Sequence, residues 1–187
     1  MNLGKTLYVT NRKQWRSWLA KNWDKEKEIW LIYYKKLSNK PRIPYNYAVE
    51  EALCYGWIDS IIKGVDNNRF AQRFTPRRPT SPVSEMNKER IRRLIKQKRM
   101  TVIGLNAVSK FFDKNKTEKL VVAPDILKAL KANKQTWKNF KNFSEGYKKV
   151  RIGYIEDTRD YSNKMFQKRL QNFIRKTAKN KRFGMVQ

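Results

Sequence analysis

Residues 57–75 have the sequence WIDSIIKGVDNNRFAQRFT, and this stretch decides the fold class. Its two arms, Trp57 to Val65 and Arg69 to Thr75, are rich in the β-branched and aromatic residues that strands favour. Between the arms, Asp66-Asn67-Asn68 supplies residues that tolerate positive φ in a tight turn. The stretch therefore predicts a β-hairpin.

A third strand and two helices are predicted on the N-terminal side of the hairpin. Glu28 to Lys36 contains the run Ile29-Trp30-Leu31-Ile32-Tyr33-Tyr34, which suits a strand covered on both faces. Asn11 can cap a helix, and Tyr45 to Tyr55 has an apolar stripe at helical spacing. Gly56 can end that second helix in a left-handed conformation.

The pattern becomes helical from Ser84 onward. Thr101 and Ser144 fit the cap position of a helix, and Pro124 fits a first helical turn. Apolar residues at helical spacing follow each of these starts. After Thr101 they are Leu105, Val108, Phe111 and Phe112; after Pro124 they are Ile126, Leu127 and Leu130, continued by Trp137, Phe140 and Phe143; after Ser144 they are Tyr147, Ile152 and Ile155. A last helix is expected to carry Phe166, Leu170, Phe173 and Ile174.

Strands thus cluster early and helices late, which predicts an α+β fold. We expect a small antiparallel sheet of about three strands in the N-terminal half, packed by helices, and an all-helical C-terminal half. Residues 1–187 are expected to form one protein with an α+β lobe over residues 1–83 and a helical lobe over residues 84–187. Lys114 to Lys119 is the predicted flexible loop.

The net charge of +28, from 44 Lys+Arg against 16 Asp+Glu, is the strongest compositional signal. Such a charge attracts polyanions, so nucleic acid is the first candidate partner and an anionic membrane surface the second. No helix-turn-helix, zinc-finger or RNA-recognition motif accompanies the charge, so nucleic-acid binding would be mainly electrostatic. The alternative is a Lys-rich composition that serves only solubility, because many lysines stand beside asparagines, as in Lys179-Asn180-Lys181.

Composition also excludes several kinds of site. The chain has no histidine, which excludes imidazole zinc sites and the Ser-His-Asp and Cys-His mechanisms. A single cysteine, Cys54, excludes an intramolecular disulfide and favours a reducing compartment. No P-loop or G-x-G-x-x-G is present, so we expect neither a cofactor nor a metal.

We expect a cytoplasmic protein without a transmembrane segment. The N-terminus lacks the apolar core of a signal peptide. No apolar run approaches the ~20 residues that a membrane helix needs.

Three ordered motifs resemble those of the YdeI/OmpD-associated family. Residues 50–59, EEALCYGWID, resemble its A-L-C-[FY]-G-W-I-D motif, and residues 73–78, RFTPRR, resemble the T-P-R-[RK] element that follows. Residues 81–87, SPVSEMN, resemble its S-x-x-S-x-x-N element. The sequence departs from the family at Lys98-Arg99-Met100-Thr101, where many members have Gly-x-Met-Thr, and Tyr154-Ile155-Glu156 stands where members have W-I-E.

The resemblance implies a link to bacteriocin protection or to an outer-membrane porin, and hence an envelope-protein partner. It supplies no catalytic residues to transfer. The motif residues to which we assign a structural role are Cys54, Gly56, Trp57, Asp59 and Asn87.

Cys54 is expected to be buried core, because it follows an apolar helix stripe and has no histidine to activate it. Trp57 and Asp59 lie two residues apart on a strand and therefore share a face. Asp59 could anchor a ligand or fix the corner between helix and strand, and the structural role is favoured. Glu50-Glu51 is not expected to form a catalytic dyad, since neighbours on a helix point in different directions.

The segment after the hairpin predicts an anion-binding corner. Arginine forks suit phosphate and carboxylate groups, and neighbouring hydroxyls and a helix N-terminus add donors. Three prolines stiffen the segment. The predicted ligand-binding residues are Arg73, Thr75, Arg77, Arg78, Ser81 and Ser84. The alternative interpretation pairs Arg73 with Asp59 and leaves Arg77 and Arg78 in solvent.

Three functions remain open from the sequence. The leading prediction is a non-enzymatic YdeI/OmpD-associated-type protein, linked by resemblance to envelope or antimicrobial stress resistance. The second is a nucleic-acid-binding accessory protein that acts through its basic surface. The third is a small enzyme that uses the region of Asp59 and Arg73.

Overall fold

The computed structural model describes residues 3–113, 115, 116 and 118–184, and it confirms the α+β fold class. The strands are β1 (Thr6–Leu7), β2 (Ile29–Tyr34), β3 (Trp57–Gly64) and β4 (Arg69–Pro76). The helices are α1 (Arg12–Asn22), α2 (Tyr45–Cys54), α3 (Glu85–Lys96), α4 (Val102–Val108), α5 (Pro124–Lys131), α6 (Lys134–Asn142), α7 (Glu145–Glu156) and α8 (Asn163–Ala178), with a short 3₁₀ turn at Lys36–Ser38.

The predicted hairpin is confirmed, because β3 and β4 pair antiparallel across the Asp66 turn. The Asp66 carboxylate accepts the backbone N–H groups of Asn68 and Arg69, which is how a short polar side chain fixes such a turn. β2 pairs antiparallel with β4, and the strand order is β1-β2-β4-β3. The two-residue β1 was not predicted; it pairs parallel with β2 and makes the sheet mixed.

The helix starts follow the predicted caps. The side chains of Asn11, Thr101 and Ser144 each accept a backbone N–H in the first turn of α1, α4 and α7, and Pro124 opens α5. Two helical extents differ from the prediction. α4 ends at Val108, so Phe111 and Phe112 lie beyond it. Trp137 and Phe140 lie on a separate helix, α6, because Asn133 caps a new start.

The chain divides into two compact units. The first comprises the described residues up to Pro82 together with Arg90–Asp113. The second comprises Val83–Glu89 and the described residues after Asp113. The predicted lobe boundary at residues 83/84 stays a prediction, and the predicted loop Lys114 to Lys119 includes Lys114 and Thr117, which lie outside the described residues.

Each unit has its own apolar core. Buried side chains of the first unit come from both helices and sheet, and they include Trp15, Leu19, Ile29, Leu31, Trp57 and Phe74. The core of the second unit is built by α5 to α8 and includes Ile126, Leu130, Phe140, Tyr147, Ile152 and Phe173. Among the described residues no helix combines the length and the apolar character that a membrane crossing requires.

Candidate functional site

The central arginine of the predicted anion corner, Arg77, is buried at 9% exposure. Its Nη2 donates to the carbonyl oxygen of Ser81 at 2.7 Å and also to that of Pro82. Its backbone N–H donates to the carbonyl of Gly56 at 2.8 Å. Burial lowers the pKa of the Arg77 guanidinium from its ordinary value. Arg77 therefore stabilises the segment that follows the hairpin, and it contacts the backbone carbonyl of Ser81 and not its side-chain hydroxyl.

Arg73 pairs with Glu28 and not with Asp59. The Arg73 Nε donates to Glu28 at 2.7 Å, while the Asp59 carboxylate accepts the hydroxyl of Tyr45 at 2.6 Å. The alternative that paired Arg73 with Asp59 was wrong, because Asp59 stands opposite Phe74 in the β3–β4 register. Side chains alternate along a strand, so Arg73 projects from the other face.

Arg73, Thr75 and Arg78 do line one surface cleft of the first unit. The same cleft carries the acidic side chains of Asp24 and Glu26, which oppose an anion there. The cleft does not include Arg77. The anion corner as a whole stays a prediction.

Ser84, the last predicted anion residue, lies in the second unit. Its Oγ accepts the backbone N–H of Asn87 at 3.4 Å, so these two motif residues shape the start of α3.

The motif around Cys54 is structural in its contacts. Cys54 is fully buried, as predicted, and burial raises the pKa of its thiol to about 11. Gly56 has φ +72°, and a side chain there would overlap Ala107. The indole of Trp57 is buried and donates to the carbonyl of Trp23 at 3.0 Å. These residues hold the turn from α2 into β3.

Glu50 and Glu51, for which the sequence predicts no catalytic dyad, form the centre of an ion-pair network in the first unit. Glu51 is fully buried, and its carboxylate accepts from Arg12 and Arg16 at 2.7 Å each. Glu51 also pairs with Arg99, and Glu50 pairs with Arg12 and Arg93. We call the set of Arg12, Arg16, Glu50, Glu51, Arg93 and Arg99 the arginine–glutamate cluster.

A cavity of the second unit has a volume of about 640 Å³. Its wall is mostly apolar, with a few charged groups, which is the usual composition of a small-molecule site. The residues that line it lie on α7, on α8, at the start of α3 and at Phe183–Gly184; among them are Met86, Val150, Arg151, Tyr154, Ile155, Lys168, Arg169, Phe173 and Phe183. We call it the second-unit cavity.

Arg151 is a buried cation on the wall of that cavity. It is only 6% exposed, and its Nε is buried without a hydrogen bond. Its guanidinium carbon lies 4.8 Å from the centre of the Phe183 ring, 5.2 Å from that of Tyr154 and 5.9 Å from that of Tyr147. Burial lowers the pKa of Arg151 from its ordinary value. Within the described part of the chain, no carboxylate forms an ion pair with it.

A second arginine, Arg169, shares the Tyr154 ring with Arg151. Its guanidinium carbon lies 3.7 Å from the ring centre, and its Nη1 donates to the Tyr154 carbonyl. Asp157 and Glu85 also line the cavity. Asp157 lies close enough to Arg169 for their charges to attract, and Glu85 pairs with Lys88 at 2.9 Å. Two guanidinium groups thus flank one aromatic ring, and an anion that enters the cavity can meet both.

Sequence reasoning missed this cavity, although a signal was present. Arg151 stands three residues before Tyr154-Ile155-Glu156, the last family landmark, so helical spacing places it beside Tyr154 on one face of α7. No group of three or more acidic or cysteine side chains that could hold a metal ion occurs within residues 3–113, 115, 116 and 118–184.

Two family models match the chain. The first, described as "Domain of unknown function (DUF8412)", matches residues 7–107, which include the motifs around Cys54 and Arg77. The second, described as "Bacteriocin-protection, YdeI or OmpD-Associated", matches residues 119–180, which include Arg151 and Arg169. No curated protein matches the chain, and no solved structure matches it.

Proposed function

Since the chain belongs to the family of the domain of unknown function DUF8412, and a match over residues 119–180 confirms its resemblance to the YdeI/OmpD-associated family, we propose that it is a non-enzymatic binding protein for an amphipathic anion. The ligand carries one carboxylate or phosphate group on an apolar body. The second-unit cavity is its site. The observation that carries the proposal is the buried guanidinium of Arg151, which has no carboxylate partner among the described residues.

The physical reason is the cost of burying a charge. A cation removed from water without an anionic partner loses several kcal/mol, and proteins rarely keep such a group inside without a use for it. The aromatic rings around Arg151 offset only part of the free-energy cost of burying its charge, by about 0.5–2 kcal/mol for each cation–π contact. A bound anion would supply the missing counter-charge at Arg151 and a second contact at Arg169.

The rest of the wall defines the body of the ligand. Val150, Ile155, Phe173 and Phe183 are apolar, so they bind a hydrocarbon or aromatic group and not a second charge. A cavity of about 640 Å³ accommodates a ligand of medium size. A polymer such as nucleic acid does not fit this shape, and that alternative rests on the net charge alone.

The biological setting is part of the proposal. The description of the matched family names bacteriocin protection, and this supports a role in envelope or antimicrobial stress resistance. The cytoplasmic location stays a prediction. The two residues named for the enzyme alternative have separate partners, because Asp59 accepts a hydrogen bond from Tyr45 and Arg73 pairs with Glu28.

The test uses decanoate as a probe carboxylate and decanol as its uncharged counterpart, with binding measured by calorimetry. Arg151→Met removes the guanidinium and keeps an apolar side chain of similar length. We expect decanoate affinity to fall roughly 10- to 100-fold, which corresponds to one charge-assisted hydrogen bond of about 1.5–3 kcal/mol. Lys138→Met is the matched control, because Lys138 is exposed on α6 and does not line the cavity.

The ligand-free stability of Arg151→Met separates a binding role from a structural one. Loss of a buried charge that has no carboxylate partner among the described residues should leave the free energy of unfolding within about 1 kcal/mol of the wild type. Equal binding of decanoate and decanol to the wild type, or equal losses in the Arg151 and Lys138 variants, would exclude the proposed site.

A further inference from the structure

We infer that the first unit carries a separate site for a phosphoryl dianion, formed by Arg12, Arg16, Arg93 and Arg99 of the arginine–glutamate cluster. The basis is the charge balance of the cluster. Among the residues that the structure describes, these four guanidinium groups pair with two carboxylates, Glu50 and Glu51, so two positive charges remain in excess. A compact dianion neutralises this excess.

The two signs of charge are arranged in layers. The side chains of Glu50 and Glu51 are 6% and 0% exposed. Those of the arginines are 22% exposed for Arg12, 32% for Arg16, 34% for Arg99 and 49% for Arg93. Solvent therefore meets guanidinium groups at this surface while the carboxylates lie beneath them. An approaching anion is therefore closer to the positive guanidinium groups than to the negative carboxylates, and the net force on it is attractive.

The buried carboxylates also hold the arginines in place. Glu51 fixes Arg12 and Arg16 at 2.7 Å, and the Arg16 Nη2 donates to the Arg99 carbonyl at 2.9 Å. Arginine side chains held in this way lose little entropy when a ligand arrives, since their ordering has already occurred on folding.

Aromatic rings also restrict the positions of two of the guanidinium groups. The guanidinium carbon of Arg12 lies 4.5 Å from the centre of the Tyr47 ring, and that of Arg16 lies 5.3 Å from the centre of the Tyr55 ring. A guanidinium group uses only some of its five N–H donors in these pairs, and the planar fork matches the oxygen spacing of a phosphoryl group. The ligand class is therefore a phosphate monoester or a related phosphoryl compound.

Inorganic phosphate at about pH 8 is the probe, titrated at constant ionic strength against the full chain. The wild type should show saturable binding with a dissociation constant below about 1 mM. Arg93→Gln combined with Arg99→Gln should weaken phosphate binding at least 10-fold, while Glu50 retains Arg12 and Glu51 retains both Arg12 and Arg16.

The control removes two charges from the same unit outside the cluster, by Lys21→Gln and Lys25→Gln. Both side chains are exposed, and we expect a change of less than about 3-fold. Arg93→Gln alone, at the most exposed of the four arginines, tests the site if the double variant does not fold, and it should weaken binding at least 3-fold. The Arg151→Met variant should bind phosphate as tightly as the wild type does, so the test of this site is independent of the test of the second-unit cavity. Absence of saturation in the wild type, or equal losses in cluster and control variants, would show an ion-pair network only.

Discussion

Gly104 of α4 lies directly against the end of α2, where a β-carbon would overlap the carbonyl oxygen of Cys54 and stand 2.6 Å from that of Leu53. Both neighbours are backbone atoms, which cannot rotate away as a side chain can. Thr101, which caps α4, donates its hydroxyl to the same Cys54 carbonyl. The absence of a side chain at Gly104 is therefore what allows the two helices to meet.

The close approach predicts the effect of Gly104→Ala. Alanine normally stabilises a helix interior by about 1 kcal/mol over glycine. Here the overlap with backbone should reverse the sign and lower the free energy of unfolding by about 2 kcal/mol, as overpacking does. Gly64→Ala is the control, since a β-carbon at Gly64 meets nothing within 4 Å. Denaturant unfolding of both variants gives the comparison, and equal stabilities would contradict the helix contact.

The thiol of Cys54 predicts a dependence of stability on pH. Burial raises its pKa from 9.0 to about 11, so the thiol of the unfolded chain ionises first as the pH rises. Its contribution is fully present below pH 9 and is lost between pH 9 and about 11, on the order of 3 kcal/mol in all. Cys54→Ala removes this titration, so the difference between wild type and variant should shrink over that range. If the free energies of unfolding of the wild type and of Cys54→Ala change with pH in parallel, the raised pKa of the Cys54 thiol is contradicted.

Glu51→Gln should destabilise the first unit. Removal of one member of a fully buried ion pair costs about 3–5 kcal/mol. We expect roughly 2–3 kcal/mol here, because the arginine partners of Glu51 keep partial access to water. Glu145→Gln is the exposed control: Glu145 is 64% exposed in its pair with Lys148, and its loss should cost less than about 0.5 kcal/mol. Thermal unfolding followed by circular dichroism compares the Glu51 and Glu145 variants. Equal melting temperatures would show that the buried ion pairs of Glu51 do not stabilise the first unit.

Arg77 and Arg78 are neighbours that should respond differently to the same substitution. Arg77→Gln breaks the bonds to the Ser81 and Pro82 carbonyls and should cost about 1–3 kcal/mol of unfolding free energy. Arg78 is exposed, so Arg78→Gln should change stability by less than about 0.5 kcal/mol.

Because Arg77 has this structural role, Arg78 is the informative residue for the predicted anion corner. Oligonucleotide affinity of Arg78→Gln should fall further than that of Lys179→Gln if the corner is a specific site. Equal decreases would assign the corner to the general positive charge of the surface.

Local signals in the sequence predicted much of the fold. The Asp66 turn, the caps at Asn11, Thr101 and Ser144, and Pro124 each act within about four residues of the chain. Such signals depend on backbone geometry that a short segment carries by itself. β1 was missed for the complementary reason, because a two-residue strand has no periodicity and its parallel pairing with β2 depends on tertiary contact.

The candidate sites were harder to predict because their contacts cross long stretches of chain. Glu51 meets Arg12 and Arg99, which stand 39 and 48 residues away, so its place in helix α2 gave no hint of a partner. The alternative that paired Arg73 with Asp59 was wrong because the strand register, which directs these two residues to opposite faces, cannot be read from the sequence. No sequence motif marks Arg151 as a buried cation, since burial is a property of the folded surroundings of α7.

The division of the chain into units has a consequence for how its gene can recombine. The second unit takes Val83–Glu89 from the middle of the chain, and Arg90–Asp113 then returns to the first. A single crossover before residue 83 would exchange the second unit together with a segment of the first. A crossover after residue 113 would leave behind Glu85 and Met86, which line the second-unit cavity. Neither event transfers one unit intact and alone, because the first also carries Arg90–Asp113 out of the first unit and the second leaves Val83–Glu89 behind. Recombination should therefore keep the two units together or damage one of them.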